Sequence, residues 1–350
     1  AHFFDVAEQT FLVKEFTHAV RIWTTVLEIS VLMAQYPSKE IAQMSYDYRT
    51  LGLGYANIGS VLMTAGIPYE SEEAYAFSAS VTAIMTAESY RTSAEMSKFL
   101  GPFSNFELNR SDMLRVMRNH RRAAFGADEN EYEKMTIKPV AINPKYAPAY
   151  LLAAAREAWN QAVEWGEKYG YRNAQTTLLA PTGTIGLVMD CATTGVEPDF
   201  ALVKFKKLAG GGYFKIVNEA VPVALLHLGY NERQIREILA YVQGTANITE
   251  APSLNEQSLK AKGMTDNDIK AVNQALKSAF EIKFAFNVWT LGEDCMKRLG
   301  ITPAEYNDPN FHCLRALGFS DAEIESANNY VCGTMTIEGA PHLKKEQYPI

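Results

Sequence analysis

The sequence predicts a helix-rich α/β fold that ends in a subdomain of helical hairpins. Three observations predict it. Apolar residues at steps of three and four mark long helices, as with Phe16, Val20, Trp23, Leu27 and Val31. Two short runs read as strand-like: 49–55 as a buried strand running into a turn with its glycines, and 174–180 as an apolar-polar run before a turn-rich loop. From residue 218 onward a helix–glycine–helix pattern recurs. The chain has 350 residues, 47% of them hydrophobic and 21% charged, enough to bury a core in one large domain or two ordinary ones.

The elements follow in order. A helix is expected over 13–35, then a strand-like segment Arg49–Tyr55 and the apolar stretch Ile58–Ala65. Ser71, with Glu73 and Ala74 just inside, caps a helix that runs to about Phe99. Ser111 is expected to cap a helix over 111–124, and the proline-bearing stretch 126–147 reads as a connector. A helix from Ala149 to Tyr169 ends at Gly170. Phe200–Leu208 and Tyr213–Val217 form an expected strand pair turning at Gly210-Gly211-Gly212. Beyond it, Gly229, Gly263 and Gly318 each precede an isoleucine by six residues, with cap signals Asn231/Gln234, Thr265/Asp268 and Ser320/Glu323 at the junctions. The first and third copies end alike, Tyr241-Val242-Gln243-Gly244-Thr245 and Tyr330-Val331-Cys332-Gly333-Thr334. These features divide the chain into an expected domain 1–217 and a helical-hairpin domain 218–350.

Composition excludes several classes. A net charge of −7 gives no broad basic field for a nucleic-acid backbone, so an anionic substrate needs a local site. No apolar run approaches the length of a membrane span, and the start Ala1-His2-Phe3-Phe4-Asp5 has no signal-peptide pattern. Without an initiator Met the chain reads as a piece of something longer. Its four cysteines, Cys191, Cys295, Cys313 and Cys332, form neither a C-x-x-C pair nor a zinc pattern, the usage of a reduced cytoplasmic protein. Cys191 reads as a packed bystander thiol and the other three as core residues. Trp23, Trp159, Trp165 and Trp289 also read as core. Arg115, Arg118, His120, Arg121 and Arg122 read as a solvated helix face.

The most informative stretch is Arg172 to Gly186. Ala180-Pro181-Thr182-Gly183-Thr184-Ile185 follows a short strand and makes a tight turn. Gly183 lets a ligand come close to the backbone. The N–H groups of Thr182 to Ile185 can converge into an anion-binding concavity, with the hydroxyls of Thr182 and Thr184 as further donors. No Lys or Arg lies in the loop, so binding would rest on backbone and hydroxyl donors. A plain turn is the other reading of the same residues.

Ala180–Ile185, followed by Thr193-Thr194-Gly195-Val196-Glu197-Pro198, resembles the phosphate loop of ribonucleotide reductases and the element after it. Asp199 to Gly212 is closer to the cobalamin-dependent (class II) branch than to the iron-dependent one. Leu51–Gly59 with Gly66-Ile67-Pro68-Tyr69 is similar to the family's glycine-rich barrel strand and following helix, and Gly333–His342 to a segment late in the class II catalytic region. The resemblance implies part of a ten-stranded α/β barrel. It implies that Ala180, Pro181, Thr182, Gly183, Thr184 and Ile185 hold the phosphates of a ribonucleoside di- or triphosphate. It also implies adenosylcobalamin as cofactor, an external dithiol such as thioredoxin as reductant, and the remainder of the reductase polypeptide as partner. In the family a thiyl radical takes the ribose 3′ hydrogen, water leaves C2′, and a cysteine pair supplies two electrons. The Asn-x-Cys-x-Glu motif of the radical cysteine is absent from this chain, so no catalytic residue is expected in it, and the chain by itself is expected to be inactive. Ala192 after Cys191 stands where an acidic residue is expected. The alternative is a non-catalytic module whose helical repeats bind a partner chain or nucleic acid. Against nucleic acid, Arg233 and Arg236 are balanced by Glu232 and Glu237.

Overall fold

The computed structural model describes residues 1–207 and 213–350, with the side chains of 206–217 left aside. The expected turn at Gly210-Gly211-Gly212 lies outside the described residues. Two units form: Ala1–Asp199 with Pro349–Ile350, and Phe200–Tyr348.

The first unit opens with an antiparallel hairpin of β1 (Phe4–Asp5) and β2 (Thr10–Phe11), with Phe4 opposite Phe11. The helices α1 (Val13–Met33), α2 (Lys39–Tyr48), α3 (Ile58–Thr64), α4 (Glu72–Leu100), α5 (Phe106–Phe125), α6 (Ala149–Tyr169) and α7 (Thr184–Val188) follow. Ser71 caps α4, its Oγ accepting from the Ala74 N–H at 3.1 Å, and α6 ends at Gly170, both as the sequence indicates. α5 begins at Phe106 rather than Ser111, more than a turn early. Phe103 and Phe106 are buried edge-to-face at 5.5 Å in the core, and this packing outweighs the serine's capping tendency.

α4 is the spine of this unit. Its Ala74, Phe77, Val81, Ile84 and Met85 join a core with Phe11, Phe16, Ile58, Leu62 and Leu151. Its Ala87, Tyr90 and Ala94 join a second with Phe106, Met117, Trp159 and Tyr171. Small residues along α4, such as Ser80, Ala87, Ser93 and Ala94, are fully buried and let α6 lie close against it. The buried face of α1 departs from expectation. It runs Phe16, Val20, Thr24, Glu28, whereas Trp23 is 56% exposed. Glu28 takes a core position because the buried Arg49 and the half-buried Arg172 meet it there.

Among the described residues, parallel pairing is confined to the bridge Leu53↔Thr177, supported by Leu51 N–H to Gln175 O at 2.8 Å and Leu178 N–H to Leu53 O at 2.8 Å. The segments 49–55 and 174–180 are therefore neighbours.

The second unit begins with the expected strand pair, β3 (Val203–Lys207) antiparallel to β4 (Tyr213–Val217). It continues through α8 (Ala220–His227), α9 (Glu232–Gln243), α10 (Glu256–Ala261), α11 (Asp266–Leu276), α12 (Val288–Leu291), α13 (Glu293–Arg298), α14 (Pro303–Tyr306), α15 (Cys313–Ala316) and α16 (Asp321–Cys332). All three junction signals form reciprocal capping boxes, at Asn231/Gln234, Thr265/Asp268 and Ser320/Glu323. Cys295, Cys313 and Cys332 lie in its core with Leu254, Leu259, Met296 and Leu314. Trp289, expected inside, is 87% exposed, because α12 turns Leu291 inward instead.

The matching repeat ends meet in a reciprocal clasp. Thr245 and Ala246 N–H groups donate to the carbonyls of Tyr330 and Val331, and Thr334 and Met335 N–H groups donate to those of Tyr241 and Val242, at 2.9–3.0 Å. A Cβ on Gly244 would collide with the Val331 carbonyl oxygen, and one on Gly333 with that of Val242. Gly229 has a positive φ as well, but open space around it. Gly244→Ala or Gly333→Ala should therefore cost on the order of 3 kcal/mol, and Gly229→Ala about 1 kcal/mol. Urea denaturation of the three variants measures the difference; equal costs would mean that the close approach contributes nothing.

Candidate functional site

The strand-like segment that leads to the loop is held by a buried polar node. Glu28 on α1 accepts from Arg49 Nε at 2.7 Å, Arg172 Nε at 2.8 Å and Asn173 Nδ2 at 2.6 Å. Asn173 Nδ2 also donates to the Arg49 carbonyl at 2.9 Å, and Ser93 of α4 donates to Asn173 Oδ1 at 2.8 Å. Arg49 is 1% exposed, Glu28 4% and Asn173 0%. α1, α4 and the segments 49–53 and 172–178 are thus tied at one point.

Ala180–Ile185 leaves this pair of segments at the surface. Gly54 lies against the Leu178 carbonyl, Gly59 against Glu197 and Thr193, and Gly195 against the Ala180 carbonyl, each where a Cβ would not fit. Thr182 has φ +65° and Gly183 φ +54°. Gly183 N–H donates to Pro181 O at 2.9 Å, and Ile185 N–H to Thr182 O at 3.3 Å. The expected run of four converging amides from Thr182 to Ile185 is therefore shortened, because the tight turn uses two of them. Among the described residues, no protein acceptor faces the N–H groups of Ala180, Thr182 or Thr184. Pro181, Gly183, Thr184 and Ile185 are exposed, and the space beside Gly183 is open.

The two threonine hydroxyls differ in role. Thr182 Oγ1 accepts from Gly195 N–H at 3.0 Å and donates to Pro181 O at 2.7 Å, so it braces the loop instead of offering a free donor. Thr184 is exposed at the start of α7. Under the loop, Asn57 bonds to Thr193 and Gly195, and Tyr69 Oη donates to the Val196 carbonyl at 2.6 Å. The sequence placed Asn57, Thr193 and Gly195 in informative segments without giving them this part. For Asn57 the available signal was its residue type, since Asn tolerates the left-handed conformation it adopts. The node at Glu28 had a signal too: a carboxylate in step with Phe16, Val20 and Thr24 on an otherwise buried stripe.

Cys191 is half-buried near the loop, and burial pushes its thiol up, away from the reactive thiolate. Arg118 and Arg122 are not a free basic face: both grip Glu133, whose carboxyl they hold down to about 2. His120 stacks on Trp159, with ring centroids 5.1 Å apart. No helix among the described residues is long and apolar enough to cross a membrane.

The loop is thus strained and glycine-flanked, and it follows the parallel bridge Leu53↔Thr177. The family model for the ribonucleotide reductase barrel domain matches residues 1–270, and the chain belongs to that family. It is 59% identical over 350 residues to the vitamin B12-dependent ribonucleotide reductase of Agrobacterium fabrum, covering 99% of this chain and 27% of that protein. The protein of the same name from Bradyrhizobium diazoefficiens is 57% identical, with 99% of this chain and 28% of the relative covered. The Rhodopirellula baltica protein of that name is 47% identical over 246 residues. The chain therefore spans about a quarter of the length of the first two relatives, 27% and 28%.

Glu28→Gln removes the charge that compensates Arg49 and Arg172, and should destabilise the first unit by about 3 kcal/mol. Glu95→Gln, which breaks the exposed pair with Arg21, should cost about 0.5 kcal/mol. Thermal denaturation of the two variants checks this; similar shifts would show that the buried node does not hold the segments.

Proposed function

We propose that this chain is the part of a vitamin B12-dependent ribonucleotide reductase that holds the phosphates of a ribonucleoside di- or triphosphate. The observation that carries the reading is the set of acceptor-free N–H groups at Ala180, Thr182 and Thr184, on a surface loop braced from beneath. Ala180, Pro181, Thr182, Gly183, Thr184 and Ile185 form the binding loop, with Thr182 and Gly183 shaping the turn and the open amides facing phosphate oxygens. The relatives' names support the reaction class. The bridge Leu53↔Thr177 is one pairing of the ten-stranded barrel, whose other strands come from the remaining polypeptide. The helical domain beyond residue 217 returns the chain to the catalytic domain.

The cavity lined by His312, Lys283 and Glu325 in the second unit measures about 350 Å³, the lower end for a drug-sized ligand and small for a corrin macrocycle. Adenosylcobalamin, as the family's radical source, belongs to the whole enzyme. The radical cysteine likewise lies elsewhere on the polypeptide, and the external dithiol acts there. The enzyme works in the cytoplasm, away from membranes and nucleic acid.

Two outcomes test this reading. In the reductase polypeptide carrying this segment, cytidine diphosphate or triphosphate should slow amide exchange at Thr182 and Thr184 by about tenfold or more, and duplex DNA should leave it unchanged. Unchanged exchange with both nucleotides would sink the assignment. The purified 350-residue chain, given adenosylcobalamin, a dithiol and nucleotide, should yield no deoxyribonucleotide by chromatography; turnover would place the radical cysteine within it.

A further inference from the structure

Asn57 grips the segment behind the loop with both its side chain and its backbone. It is 7% exposed and sits at φ +71°, ψ +27°, just before α3. Its Oδ1 accepts from Ser60 Oγ at 2.7 Å, Thr193 N–H at 3.0 Å and Thr193 Oγ1 at 3.2 Å. Its own N–H donates to the Gly195 carbonyl at 3.1 Å. Thr193 and Gly195 are two residues apart, so one residue holds both ends of a single turn. The next link is Gly195 N–H to Thr182 Oγ1 at 3.0 Å, and Thr182 Oγ1 in turn donates to Pro181 O. A continuous path of hydrogen bonds thus runs from Asn57 through Gly195 to the strained Thr182 at the centre of the loop.

We infer that Asn57 is a positioning residue for the phosphate loop: its side chain and left-handed backbone fix the Thr193–Gly195 turn, and that turn holds Thr182 in the conformation that leaves the neighbouring amides open. The substrate side of this inference rests on the reading proposed above; the bracing itself does not. Two properties are needed at position 57 together. One is tolerance of positive φ, which Gly, Asn and Asp have. The other is an acceptor reaching Thr193 and Ser60, which only Asn and Asp among these supply. Gly therefore keeps the backbone and loses the brace, and Asp keeps both.

The experiment uses the full reductase polypeptide and reads amide exchange without nucleotide. Asn57→Gly should speed exchange at the hydrogen-bonded loop amides Gly183, Ile185 and Gly186 by about tenfold, the loss of one to two net hydrogen bonds, while α6 amides keep the parent rate. Asn57→Asp should stay within about threefold of the parent. Thr193→Val removes the hydroxyl contact from the other side and should give a smaller rise at the same amides, which keeps the test open should the glycine variant fold poorly. In turnover, Asn57→Gly should raise KM for cytidine diphosphate by several-fold and leave kcat nearly unchanged, since a lost phosphate contact weakens substrate and transition state alike. Faster exchange with an unchanged KM upholds the brace and overturns only the phosphate assignment of the loop. Parent-like exchange in both Asn57→Gly and Thr193→Val overturns the inference, whatever the nucleotide does.

Discussion

The carboxylate of Glu28 is buried at a junction of four chain segments, and a buried charge tolerates few arrangements. Its oxygens meet two guanidinium groups and one amide. Taking any of these away leaves a desolvated charge without its partner, which costs several kcal/mol. Replacing the whole node with apolar side chains need not cost stability. What the charges contribute is selectivity: in this register Arg49 Nε, Arg172 Nε and Asn173 Nδ2 all reach the Glu28 carboxylate, and a shifted register would separate them. That register sets where Leu51–Leu53 meets Gln175–Leu178, and the loop emerges two residues further on.

The loop itself is costly to form. Thr182 is β-branched with positive φ, a conformation that needs compensation. The compensation is visible in the bond from Gly195 to Thr182 Oγ1 and in the glycines that let neighbouring backbones approach. The open amides cost little as they stand, since they lie in an exposed loop where water can solvate them. A ligand with several acceptor oxygens would displace that water without reorganising the loop, the condition for preorganised anion binding.

Regular helices were legible because their signals are local. Ser71, Gly170 and the three capping boxes depend on residues within a turn of one another, and the structure has each of them. Ser111 and Trp23 misled because tertiary packing decided the matter: Phe106 starts α5 earlier, and the cations facing Glu28 rotate the buried stripe of α1. The loop's position was readable from glycine, threonine and proline. Its donor count was not, since the partners of each amide depend on φ and ψ at Thr182 and Gly183. Asn57 was beyond reach for another reason. Its partner Thr193 is 136 residues away, and no pattern in a single sequence pairs them.

The family match stops at residue 270, inside α11. The core of the second unit does not stop there: Ile248, Leu254 and Leu259 pack with Met296, Leu314 and Val331. The clasp also joins Gly244 on one side of that limit to Gly333 on the other. A core shared across the limit cannot form from the matched residues alone, because 17 of its 23 buried side chains lie beyond it. The helical hairpins therefore fold as one unit that reaches past the matched domain, and the Agrobacterium and Bradyrhizobium relatives, aligned over 99% of the chain, carry the same stretch in full. The repeated Tyr-Val-x-Gly-Thr ends explain how the unit closes: two like segments each donate two amides to the other, so the first and last hairpins are fastened by bonds that neither makes alone.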